Sequence, residues 1–348
     1  MKLRISKKLF VLVFAMMCSV FLTTLTIAGD KSESKNDLNG FQISGPYAHE
    51  NLSIFLIQGK DSFSAKEFIT LKEALDTKVA VLHETSNVNN LSIENLSSDK
   101  HIYIQSGDIV KGGKQDRAIS IDIVIRPKSG KISLSAFCVE KGRWTNRGTE
   151  AVNKFSSSND RLSSKKLKLA AKSRKSQNEV WKEVASTQKN LKQKIGRNVK
   201  SRRSESSLQL TLENKELKKV VSEYMKELYP IITKYKNTVG YAFAINGEFN
   251  SSDIYGSGKL FKKLWPKLLK ASVVEAIAAR EKGKNSPKAK LKDIKLSLKD
   301  ALNGKKSEKK VGQGTKIITH ESDKNVLFET YDDESKSKQP VHRNIIKK

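Results

Sequence analysis

Two short stretches carry most of the residue types that could do chemistry. In Gly107-Asp-Ile-Val-Lys-Gly-Gly-Lys-Gln-Asp-Arg117, Gly112 and Gly113 let the backbone approach a ligand closely. Lys111, Lys114, Gln115 and Arg117 bring positive charge and donors, a combination suited to an anion. The P-loop spacing is not met. Asp108 stands where the first glycine should be, Gln115 replaces Ser or Thr, and the stretch runs into a strand at Ile119 instead of a helix. Walker-type nucleotide hydrolysis is therefore disfavoured, and the plain alternative is a tight glycine turn with solvated charges.

The second stretch is Cys138-Val-Glu-Lys-Gly-Arg-Trp144. Arg143 and Trp144 together can clamp or stack on an anionic ring, although a tryptophan also serves as core. Glu140 lies at the mouth of a strand and, with Asp108 and Asp116, supplies carboxylates for acid-base or metal work. Cys138 alternates with Ile132, Leu134 and Ala136, which predicts a buried, inert thiol, and no histidine lies near it in sequence to act as its base. Five His and two Cys without ligand spacing argue against a zinc module, and no metal or cofactor is specified.

These stretches need a sheet to position them. Short β-branched or alternating runs at Leu52–Ile57, Val79–His83, Leu91–Glu94 and His101–Gln105 predict strands, with one short helix over Phe68–Leu75 capped by Thr70 and Glu73. Ile119, Ile121, Ile123 and Ile125 alternate, as do Ile132 to Cys138, and Pro127–Gly130 between them predicts a hairpin. Beyond Trp144, helical spacing appears at Gln177–Leu191 and Leu217–Leu228, the latter interrupted by Pro230. It returns at Leu260–Ile277 around Pro266. Asn246-Gly247 between Val239–Ile245 and Glu248–Ile254 is the strongest hairpin signal in the chain. Strand-like runs return at Lys316–Thr319 and Val326–Thr330. The reading is an α+β fold, mostly antiparallel sheet in its first half, with helices and a β-hairpin packed against it in the second as one domain.

The ends and insertions are set by composition. Lys2, Arg4, Lys7 and Lys8 precede the apolar run Leu9–Leu22 and the small exit residues before Gly29, so residues 1–28 read as a secretory signal peptide. An uncleaved membrane anchor is the lesser alternative, and the residues before Cys18 do not suit lipidation. Residues 29–50 read as a polar linker, 51–280 as the folded domain, 281–310 as a lysine-rich flexible insertion, and 311–348 as terminal strands and tail. Export places the protein in the periplasm or outside the cell. The chain of 348 residues carries a net charge of +29, but only 12 of its 66 basic residues are Arg. Diffuse attraction by lysine is favoured over bidentate phosphate recognition, and anionic envelope polymers or membrane surfaces over nucleic acid.

In order along the chain, Asn90–Leu96, Gly107–Arg117, Cys138–Trp144, Gln177–Trp181, Val239–Gly247 and Leu264–Leu269 resemble the ARG and rhodanese-phosphatase-superfamily-associated protein domain. The resemblance implies a link to ADP-ribose or phosphorylated ligands without supplying an activity. It points to Asp108, Gly112, Gly113, Lys114, Gln115, Arg117, Glu140, Arg143 and Trp144 as site residues. Three functions are expected to compete: an exported binder of a phosphate-bearing or otherwise anionic ligand, a hydrolase of an ADP-ribose-like or phosphorylated substrate using Asp108 and Glu140, and a structural protein binding anionic polymers through lysine.

Overall fold

In the computed structural model, residues 40–143, 154–281 and 286–348 are described. The expected signal peptide and Trp144 lie outside them. Chain folding begins earlier than composition predicts: β1 (Gln42–His49) falls within the expected linker and pairs antiparallel with β2 (Leu52–Gln58).

An antiparallel sheet of eight strands organises the fold, in the order β1-β2-β12-β13-β17-β16-β15-β14. Its members beyond β2 are β12 (Thr238–Ile245), β13 (Glu248–Tyr255), β14 (Lys305–Val311), β15 (Thr315–Glu321), β16 (Asn325–Asp332) and β17 (His342–Lys347). The β12–β13 turn is the one predicted, since Asn246 and Gly247 both take positive φ, 52° and 82°. Helix α6 (Gly258–Ala279) runs through Pro266, and its Phe261 and Trp265 pack on Tyr241 of β12. The opposite face of the sheet, through Phe55, Ile57, Ala242 and Ala244, is covered by Ile294, Leu298 and Ala301 of α7 (Leu291–Leu302). Covering both faces explains why every residue of β2 is buried and why its sequence shows no apolar-polar alternation.

Composition misled in this region. The lysine-rich stretch expected to be a flexible insertion holds α7 and β14, because one apolar residue per helical turn suffices to anchor α7 while Lys292 and Lys299 face solvent.

The first half builds two smaller sheets. One runs β11-β7-β8-β10-β5-β4, from β4 (Ala80–Glu84), β5 (Asn90–Asn95), β7 (Asp108–Gly112), β8 (Arg117–Ile119), β10 (Lys131–Cys138) and β11 (Phe155–Arg161). The other joins β3 (Phe68–Thr70), β6 (His101–Ile104) and β9 (Ile123–Ile125), with β3 parallel to β6. Thr70 and Glu73 form the expected capping box on α1 (Leu71–Asp76). The hairpin expected across Pro127–Gly130 is not formed. β10 pairs with β5 and β8, while β9 pairs with β6, because the chain leaves one sheet at Ser120 and enters the other at Ile123. α2 (Lys165–Lys172), α3 (Gln177–Ile195), α4 (Leu208–Leu212) and α5 (Lys215–Leu228) complete the helices, and Pro230 opens a 3-10 segment where α5 ends.

Candidate functional site

The two chemically rich stretches meet. Glu140 Oε2 accepts from the Asp116 amide at 3.2 Å and pairs with Arg143 Nε at 2.8 Å. Arg143 Nη1 donates to the Gly113 carbonyl at 3.1 Å, and its Nη2 lies 3.9 Å from Asp116 Oδ1. Asp116 also accepts from the Gly112 amide and from Ser207 Oγ, both at 3.0 Å. Asp116 and Glu140 are thus buried acceptors for backbone, serine and arginine donors.

The glycines serve the protein's own packing. Gly112 has φ 117°, and a Cβ there would come within 2.5 Å of the Lys154 carbonyl; Gly113, at φ 57°, would strike Glu84 Oε1 and the Phe155 ring at 2.5 Å. The turn's amides also point inward: Gly113 N donates to Lys154 O at 3.1 Å and Lys114 N to Glu84 Oε1 at 2.9 Å. A ligand at this turn would therefore meet side chains, not a cradle of backbone amides.

Among those side chains, Lys114 is exposed at the apex, while Lys111 is taken up by Glu213 at 2.9 Å. Arg117, buried on β8, donates from Nη1 to the Gln115 carbonyl at 2.9 Å and lies 3.6 Å from Glu84. Gln115 Nε2 and Arg117 Nε are both buried and have no acceptor among the described residues. Cys138 pairs across from Arg117, and Gln177 holds its backbone on both sides at 2.9 Å; burial pushes its thiol up, as expected of an inert cysteine.

Asp108 does not join Glu140. Its carboxylate pairs with Lys267 of α6 at 3.1 Å, and the two acids share no partner among the described contacts. Among the described residues no group of three or more His, Cys, Asp or Glu could hold a metal.

A denser ionic cluster escaped the sequence reading. Asp253 Oδ1 accepts from Gln105 Nε2 at 3.1 Å and Asn344 Nδ2 at 3.0 Å, and faces His342 Nε2 at 3.0 Å. Asp122 pairs with Lys172 and accepts from the Ser106 amide at 2.8 Å. Tyr255 stacks on His342 at 4.4 Å, with Tyr103 edge-on to both, and Arg161 donates to the Ser106 carbonyl. Burial alone would raise the Asp122 and Asp253 carboxyls, but Lys172 and His342 around the first, and His342 and Arg161 around the second, hold them below the usual range. Tyr103 Oη, Tyr255 Oη, Arg161 Nε and His342 Nδ1 have no hydrogen-bond partner among the described residues. The cluster ties β13 and β17 to the segments flanking β6 and β9 and to α2. It is closed to solvent, so its evident work is joining layers. There was little hint of it in sequence, because Asp253 sits in a β13 strand already rich in polar residues and its partners lie far along the chain.

No curated protein and no solved structure matches the chain. The family described as ARG and Rhodanese-Phosphatase-superfamily-associated Protein domain matches residues 40–344, which takes in β1 and the first half of β17, beyond the 51–280 span expected. The chain belongs to this family.

Proposed function

We propose that the protein is exported and binds a small phosphate-bearing or otherwise anionic ligand at the β7–β8 turn, through side chains. Gln115 Nε2 and Arg117 Nε supply donors, and Lys114 supplies charge at the apex. The observation that carries this reading is the adjacency of two buried donors without an acceptor. Leaving such groups unsatisfied costs about 1–3 kcal/mol each, which a ligand oxygen would recover. Export rests on the tripartite character of residues 1–28; no described helix is long and apolar enough to cross a membrane.

The test is thermal shift of the full chain against ADP-ribose, nucleotides and inorganic phosphate at two salt concentrations. A ligand at 100 times its Kd should add about 2.7 kcal/mol, and Gln115→Met should abolish the shift without unfolding the protein. An unchanged response in that variant would remove the site.

A second reading is binding of an anionic envelope polymer, favoured by β14. This edge strand exposes Lys305, Lys306, Lys309 and Lys310 along one margin of the large sheet. Such binding weakens steeply with salt and ignores Gln115→Met, whereas the turn site shows the opposite behaviour.

A further inference from the structure

Of the eight tyrosines, Tyr103, Tyr224, Tyr241 and Tyr255 are buried, whereas Tyr235 is 37% exposed and Tyr47 is half-buried. These last two meet although 188 residues separate them, Tyr47 Oη donating to Tyr235 Oη at 3.2 Å. Among the described residues no other two phenol oxygens are hydrogen-bonded to each other. The backbone is fixed on both sides. Tyr47 lies in β1, which ends the large sheet and pairs with β2 alone, and the register of that pair shifts between Ser44 and Tyr47. Such an irregularity re-aims a side chain. Tyr235 follows the 3-10 segment Tyr229–Lys234, whose Ile231 is buried, and its carbonyl accepts from Thr238 Oγ1 at 2.8 Å where β12 begins.

The pair is also polarised. Burial and the neighbouring phenol push Tyr47 up to about 12, while Ser44 and Tyr47, with Lys234 nearby, bring Tyr235 down. Lys234 Nζ stands 5.3 Å from the centre of the Tyr47 ring. Tyr235 is therefore the phenol that releases its proton more readily, and a phenolate loses an electron more easily than a phenol.

From this arrangement we infer that Tyr47 and Tyr235 form an oxidative modification site, at which hydrogen peroxide and a haem peroxidase join the two rings as a covalent dityrosine. Each phenol yields one electron and one proton, and together these reduce the peroxide to two waters with cleavage of its O–O bond. The phenoxyl radicals couple through one ortho carbon of each ring, forming a single C–C bond. Each ortho hydrogen then moves as a proton to its own ring's oxygen, restoring both phenols. The product ties the edge strand β1 to the segment that enters β12, closing a loop of 188 residues. A cross-link over so long a loop restricts the unfolded chain far more than the folded one, so it holds β1 in place.

The experiment is oxidation of the dilute full chain by a haem peroxidase with limiting hydrogen peroxide. The expected product is monomeric, has lost two hydrogen atoms and shows the blue fluorescence of dityrosine. On digestion it yields one dominant cross-linked pair of peptides, carrying Tyr47 and Tyr235. Tyr47→Phe and Tyr235→Phe should each abolish that product, whereas Tyr229→Phe, at a tyrosine 44% exposed, should leave it unchanged. Should Tyr47→Phe fail to fold, the exposed Tyr235→Phe carries the test. In urea sufficient to unfold the chain the yield should fall, and the purified cross-linked protein should unfold at a higher urea midpoint than its parent. An intrachain link that survives Tyr235→Phe, one that forms as readily in the unfolded chain, or oxidation confined to other tyrosines or to links between molecules overturns the site.

Discussion

His342 Nε2 sits 3.0 Å from Asp253 Oδ1, while its other ring nitrogen faces Asp122 Oδ1 at 3.7 Å. One imidazole from a late strand thus bridges two buried carboxylates belonging to different parts of the fold. Lys172 and Arg161 bring positive charge to the two carboxylates, so the cluster is held together by compensation and not by solvent.

Acid should act on this joint first. Because both aspartates titrate below their unfolded value when folded, their contribution is fully present above about pH 5 and is lost as pH falls below about 4, through the folded values. Urea unfolding followed from pH 7 to pH 3 should show the midpoint falling steeply in that window. Asp253→Asn should cost about 3–5 kcal/mol at pH 7, since it strands Arg161 and His342 in the interior, and should flatten the acid limb. A variant as stable as the parent at pH 7 would show that the cluster does not join the layers.

Gly112 and Gly130 both have positive φ, 117° and 62°, but only Gly112 is crowded. Alanine at Gly130 should cost about 1–2 kcal/mol from backbone conformation alone. At Gly112 it should cost clearly more, because the Lys154 carbonyl must move as well. Comparable losses in chemical denaturation would mean that the close approach of β11 to the turn is not tight.

Gln115→Met tests the unsatisfied donor from its other side. Replacing a buried amide that lacks an acceptor by an apolar chain of similar length should leave the unliganded protein unchanged or raise its stability by about 1–2 kcal/mol. A loss of more than about 2 kcal/mol in the absence of ligand would show that Gln115 is already satisfied.

If α7 is part of the core, Ile294→Ala should cost about 2–5 kcal/mol, and residues 291–302 should resist limited proteolysis in the native protein. Early cleavage there, with the rest of the fold intact, would return the segment to the flexible insertion that its composition suggested.

What could be read in advance was what short spans decide. Asn246-Gly247 forces its own turn, and Thr70 with Glu73 closes its own cap. The apolar stripe of α6 is dense enough to be seen through Pro266. The Gly107–Arg117 and Cys138–Arg143 stretches meet through Asp116, Glu140 and Arg143, which their separation along the chain does not reveal. Gly112 and Gly113 were read as places where the backbone could approach a ligand, whereas Lys154, Phe155 and Glu84 of the protein itself approach there, which local sequence does not reveal. In α7, Ile294, Leu298 and Ala301 are diluted by lysine, so composition hid a helix that packing preserves. The buried ionic cluster was out of reach for another reason: Asp122 and Lys172 lie 50 residues apart and Asp253 and His342 lie 89 apart, so nothing local marks them as partners.

The position of β17 within the large sheet has a temporal consequence. It lies between β13 and β16, and it is the one strand that hydrogen-bonds to both the β1-β2-β12-β13 group and the β14-β15-β16 group. Until residues 342–347 have left the ribosome, the two groups have no shared ladder and Asp253 has no imidazole. The large sheet is therefore assembled across its middle only once residues 342–347 are available to pair, whatever the order in which its two groups form.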